Sequence, residues 1–292
     1  MSLAVEPDAT RRIGARLRAH RDRQGIGPDD LAQRLGISRA ALYRAEKGEI
    51  AKLEVLGRIA AELGASLDQL LGIGSEYLDD AAALLSRMTD LETGADCITG
   101  VFSPVSYLLT TPAYDRVLKD ALFEQGQATP DQITRMMEAL RRRRRGFATG
   151  RMRLHSIVTT ADLTRFLEHG LTGQDSLPPS IAEARRRHAR AEVEGVARLA
   201  LAPPGGRAEL RLVEAPGAAT SFEIVDRPDA AWLVVSPFAL GLRPNITLGV
   251  GTVTPAPEAV ASHRAVTDRL WAEGIGGEAA HARIQEVLAK AG

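Results

Sequence analysis

The chain has 292 residues, 45% of them hydrophobic, which is material for two domains with real cores and excludes an intrinsically disordered protein. Its 37 basic residues balance 37 acidic ones, so global charge does not advertise nucleic acid, and any electrostatic attraction must come from local placement. Cys97 is the only cysteine, which excludes an intrachain disulfide, fits a reducing compartment and reads by default as a buried, inert thiol.

Residues 1–9 carry no pattern. A first helix is expected over 10–24, with Ile13 and Leu17 on one face; it gathers Arg11, Arg12, Arg16, Arg18, Arg21 and Arg23. Pro28 suits the first position of a second helix, whose Leu31 and Leu35 face inward and which ends at Gly36. Ser38 is placed to cap a third helix and Gly48 to end it. The 3.6-residue period turns Leu42 and Ala45 inward and leaves Arg39, Ala40, Tyr43 and Arg44 on the other side, a polar surface of groove size. Leu53, Leu56, Ile59, Ala60 and Leu63 continue the helical period, and Ser66 caps a short last helix ending at Leu71.

The order Leu31-Ala32, Leu35-Gly36-Ile37-Ser38, Leu42, Glu46-Lys47-Gly48, Leu56, Ile59-Ala60, Leu63-Gly64 and Leu67, Leu70, Leu71 resembles the five-helix Cro/repressor-type DNA-binding domain, the xenobiotic-response-element family. The resemblance covers residues 10–72 and implies an all-α, lambda-repressor-like domain. It also implies an ion pair between a first-helix arginine and the glutamate ending the recognition helix, here Arg21 and Glu46. Arg39 and Arg44 would make bidentate contacts to guanine, Ala40 would touch a thymine methyl, and Tyr43 would bond phosphate or a base edge. Ser38 completes that face as its cap. Gln33, Arg34 and Lys52 would hold the DNA backbone, by analogy with the family geometry. Pro28 departs from the family, whose second helix often opens with a phosphate-binding glutamine.

The pair of glycines in 72–74 marks the domain boundary, giving a second domain over 77–292. An amphipathic helix is expected over 77–91, with packing, interdomain coupling or dimer contact as its roles. Residues 95–150 read as mostly helical, with helices over 112–124 and 131–145, and the arginine run 141–145 reads as a solvated helix end. A strand over 152–158 precedes helices over 161–168 and 181–201. Strands over 209–213, 220–225, 231–235 and 245–250, broken by Gly, Pro and Asp turns, suggest an antiparallel sheet. Helices over 258–271 and 278–290 close the chain, so the second domain is expected to be α+β.

The sequences Leu108-Leu109-Thr110-Thr111-Pro112-Ala113-Tyr114, Met152-Arg153-Leu154-His155-Ser156-Ile157-Val158, Ser221-Phe222-Glu223-Ile224 and Trp232-Leu233-Val234-Val235 resemble the C-terminal domain attached to Cro/repressor-type motifs in many actinobacterial regulators. Threonine stands here where that family has a glutamine before its threonine-proline pair. The resemblance implies an effector-like regulatory domain and names no ligand.

The six histidines, with no i,i+4 His–His pair and no Cys partner at ligand spacing, are read as forming no metal site, and no nucleophile elbow, P-loop or dinucleotide fingerprint occurs. No enzyme, metal or cofactor is therefore expected. The apolar run 230–242 is interrupted by Ser236-Pro237 and is too short to span a bilayer, and the first residues carry no signal-like stretch, which together give a cytoplasmic expectation. The leading reading is a sequence-specific transcriptional regulator that binds double-stranded DNA as a homodimer, with a second domain that senses a small molecule or mediates oligomerisation. The alternative is a DNA-binding protein-interaction module, antitoxin-like or defence-associated, with an enzyme fused to the helix-turn-helix domain as third.

Overall fold

The computed structural model describes residues 7–49, 53–71, 74–126, 128–173, 176–201, 204–214, 221–236 and 251–291. The chain divides into two compact units, Met1–Glu76 with Thr254–Ala256, and Tyr77–Val253 with Pro257–Gly292.

The first unit is helical: α1 (Pro7–Arg23), α2 (Pro28–Leu35), α3 (Arg39–Glu46), α4 (Leu53–Glu62) and α5 (Leu67–Leu71). One face of each contributes to a single core built on Leu17, Leu31, Leu35, Leu42, Ile59, Leu63 and Leu70. Gly36 ends α2 in the left-handed region at φ 64°, and its amide closes back on α2. Ser38 then caps α3, its Oγ accepting the Ala41 amide at 3.1 Å. Only Gly36, Ile37 and Ser38 separate the two helices, the tight link of a helix-turn-helix unit. Where α1 meets the end of α3 the approach is glycine to backbone: a Cβ on Gly14 would lie 2.6 Å from the Glu46 carbonyl oxygen, and one on Gly48 2.6 Å from Thr10.

Beyond α5 the chain is built on a sheet of β1 (Glu76–Leu78), β2 (Cys97–Val101), β3 (Arg153–Thr159), β4 (Ala208–Val213), β5 (Ser221–Asp226), β6 (Ala231–Ser236) and β7 (Gly251–Thr254). Their order is β1-β7-β6-β5-β2-β3-β4. Between the strands run α6 (Ala81–Glu92), α7 (Pro112–Gln125), α8 (Pro130–Thr149), α9 (Thr160–His169) and α10 (Pro179–Leu201); α11 (Pro257–Glu273) and α12 (Gly277–Lys290) follow β7. Side-chain alternation decides which helices cover which face. Leu154, Val158, Leu210, Leu212, Val225 and Val234 share a core with α6, α7, α8, α9, α10 and α12. Val101, Ile157, Val213, Ile224 and Leu233 turn the other way, toward Val260, Leu270 and Trp271 of α11.

The expected antiparallel sheet is corrected to a mixed one: β2, β3 and β4 are parallel, while β5 runs antiparallel to both β2 and β6. The reason is connection length. Each step from β2 to β3 and from β3 to β4 contains two α-helices, the crossover a parallel pair requires, whereas β5 and β6 are joined by a short turn. Two further corrections belong to the same region. Residues 97–101 form the strand β2 inside a segment expected to be mostly helical, and Tyr77 lies in β1, with α6 starting only at Ala81 under an Asp80 cap. The strand expected over 245–250 lies outside the described residues. No helix of the described residues is long and apolar enough to cross a membrane.

Candidate nucleic-acid interface

Leu42 and Ala45 are buried in the first unit's core, and that anchorage turns the opposite side of α3 to solvent: Arg39, Ala40, Tyr43 and Arg44 are all exposed, Tyr43 at 59%. Lys47, just beyond the helix, sets its ammonium 5.3 Å from the centre of the Tyr43 ring, so the phenol and a cation are presented together. Ser38 is engaged as the helix cap, and its backbone fixes where Arg39 begins. Gln33 and Arg34 are exposed on α2. Lys52 lies outside the described residues.

Two of the candidate arginines are held by acidic residues at the start of α2, a feature the sequence reading did not single out. Arg39 Nη1 donates to Asp29 Oδ2 at 3.2 Å. Arg34 grips Asp30 with two donors, Nη2 at 2.8 Å and Nε at 3.2 Å, and lies 3.6 Å from Glu62. The hydrogen bonds to Asp30 raise the Arg34 pKa above the ordinary arginine value. The signal for the Arg34 pair was present in the i,i+4 spacing of Asp30 and Arg34; that of the Arg39 pair crosses the turn and has no fixed spacing to read.

Beneath this face, Arg21 of α1 donates from Nε to Glu46 Oε1 at 2.7 Å and from Nη1 to the Ile26 carbonyl at 2.9 Å. The hydrogen bond to Glu46 is the largest cause of a raised Arg21 pKa, ahead of the desolvation that opposes it. Arg16 caps the end of α5 through the Leu71 carbonyl at 3.0 Å, and Gln24 donates to the Leu63 carbonyl at 2.9 Å. These bonds hold α1, α3 and α5 as one block, so the exposed side of α3 sits on a rigid support.

The arginine run in the second unit is not the solvated helix end expected from its sequence. α8 continues through Gly146 to Thr149, so the run lies inside the helix, and Arg143 is buried. Its Nε donates to Glu92 of α6 at 2.8 Å, and its Nη2 reaches Glu223 of β5 at 3.4 Å. Arg141 and Arg144 converge on Asp115 of α7 at 3.0 and 2.7 Å, and that carboxylate also accepts the Tyr107 hydroxyl at 2.6 Å. Desolvation pushes the Glu223 carboxyl up to about 7, against the pull of Arg143. Desolvation likewise raises the Tyr107 hydroxyl and the Cys97 thiol above their ordinary values, which keeps that thiol protonated and unreactive. Among the described residues no group of three or more His, Cys, Asp or Glu side chains is placed to hold a metal ion.

Compact helices, a three-residue turn and an exposed second helix define the class: this is a helix-turn-helix DNA-binding domain. A family model described as a helix-turn-helix domain matches residues 12–71. No curated protein matches the chain. Among solved structures, the apo form of ComR from S. thermophilus, in space group C2, is similar at 16% identity over 65% of this chain and 72% of that one, with a TM-score of 0.20.

Proposed function

We propose that the chain is a sequence-specific transcriptional regulator that uses α3 to read the major groove of double-stranded DNA. The observation that carries this reading is the exposed set Arg39, Ala40, Tyr43 and Arg44 on a capped helix inside the segment matched by the helix-turn-helix model. Arg39 and Arg44 have the donor geometry for guanine, Ala40 the size for a thymine methyl, and Gln33, Arg34 and Lys52 the chemistry for phosphates. A single unit of this size touches few base pairs, so the working form is a homodimer on a two-fold site. The second unit carries the dimer contact or a small-molecule site whose occupancy alters the spacing of the two reading helices.

Selection of bound duplexes from a random pool tests this. The wild type should enrich a two-fold sequence, and the Arg39→Ala/Arg44→Ala variant, folded as judged by circular dichroism, should enrich none. Equal enrichment by both proteins, or none by either, overturns the reading.

A further inference from the structure

We propose that Asp29 and Asp30 are specificity-determining residues that stand in for DNA phosphates when no duplex is bound, suppressing attachment to arbitrary sequence. The inference rests on the DNA-reading role proposed for α3.

The N-terminus of a helix is ordinarily a place where backbone amides and the helix dipole attract an anion. In α2 that place is closed from within. Gly27 caps the helix without a side-chain bond, Pro28 at the next position has no N–H, and Asp29 and Asp30 supply two carboxylates to the first turn. Those carboxylates are the ones that hold Arg39 at 3.2 Å and Arg34 at 2.8 Å. Across residues 27–49, the helix-turn-helix segment with its caps, Arg34, Arg39, Arg44 and Lys47 are matched by Asp29, Asp30, Glu46 and Glu49, so the segment has no net charge.

Affinity for arbitrary duplex comes almost wholly from cations that neutralise phosphates and release their counterions. An arginine already neutralised by its own protein releases fewer counterions on meeting a phosphate, and the displaced carboxylate is left facing a polyanion. Both effects oppose backbone attraction. All four side chains are 46–71% exposed, so the pairs are weak and readily exchanged. On the correct sequence the release of Arg39 from Asp29 is driven by directed bonds to a base, which arbitrary sequence does not offer, and the docked helix then brings Arg34 to a phosphate. Asp29 and Asp30 thus discriminate by disfavouring the wrong partner.

The test uses the full chain and three proteins: wild type, Asp29→Asn/Asp30→Asn, and Glu54→Gln/Asp68→Asn, which removes the same charge from α4 and α5. Affinity is measured for the duplex selected by the wild type and for a scrambled duplex, across a salt series. The Asp29→Asn/Asp30→Asn protein should bind the scrambled duplex about tenfold more tightly, gain less on the selected one, and steepen the slope of log affinity against log salt by about 1–2. An unchanged or weakened affinity for the scrambled duplex overturns the inference, as does an equal gain on both duplexes or an equal effect from the α4 and α5 control. If the wild type selects a duplex and Arg39→Ala/Arg44→Ala loses it, the DNA-reading role stands whichever way the aspartate variant behaves.

Discussion

Arg21 and Glu46 meet at 2.7 Å with side chains only 8% and 10% exposed, joining the first helix of the unit to the last residue of α3, the helix proposed to read DNA. Geometry of this kind costs most when one partner is removed, because the survivor keeps its desolvation without its compensation. Arg21→Ala should lower the unfolding free energy of the first unit by about 2–4 kcal/mol. Urea denaturation read by circular dichroism measures it, and a loss below about 0.5 kcal/mol would mean that solvent replaces the pair.

Gly14→Ala should be as harmful without touching any polar group. Its added methyl would lie 2.6 Å from both the Glu46 carbonyl oxygen and the Gly48 amide, and backbone atoms cannot swing aside as a side-chain tip can. The C-terminal end of α3 must move off α1, at a cost of about 1–3 kcal/mol. The same shift misplaces Arg44 and Tyr43, so affinity for a selected duplex should fall even at temperatures where the variant remains folded.

Removing the Arg143 guanidinium leaves Glu92 and Glu223 facing one another in the core. Arg143→Met keeps much of the volume and should still destabilise the second unit by about 3–5 kcal/mol at neutral pH. Thermal unfolding of the variant against the wild type checks this.

Glu223 gives the second unit a specific pH dependence. Its folded-state pKa, pushed up to about 7 chiefly by burial and further by Glu92, lies above its ordinary 4.5. The folded form therefore holds the extra proton, and the contribution is present in acid and lost as pH rises from about 4.5 through about 7. Glu223→Gln mimics the protonated carboxyl and lacks this loss. Relative to the wild type it should gain about 1–3 kcal/mol of stability on going from pH 5 to pH 8, measured by denaturant midpoints at the two pH values. No change in the difference between the two proteins would place the Glu223 titration outside that range.

The first unit was legible because its signals are local. Pro28, Gly36, Ser38 and Gly48 punctuate the helices, and Leu31, Leu35, Leu42, Ile59 and Leu63 repeat at the helical period that packs them together. In the second unit the decisive facts are distant in sequence. β2 has only five residues, one of them Gly100 beside Thr99, and its strand character comes from neighbours far along the chain. Arg143 hid within a run of identical residues, although Met136, Leu140, Arg143 and Phe147 follow the buried stripe of α8 and set that one arginine inward. Counting the period through the run would have separated it from its neighbours. No spacing rule would have supplied Glu92 and Glu223, which arrive from another helix and a strand.

The pairing of β2 with both β3 and β5 also bears on how the polypeptide emerges from a ribosome. Cys97 is opposite Arg153 on one side and Asp226 on the other, so β2 stays unmatched on that second side until 129 further residues have been made. At about 5–20 residues per second, that wait is on the order of ten seconds, whereas the core of α1 to α5 is complete once Leu70 has left the exit tunnel. The nascent chain thus carries a finished helical head while an apolar strand waits for its partner, and that interval is when a chaperone has most to protect.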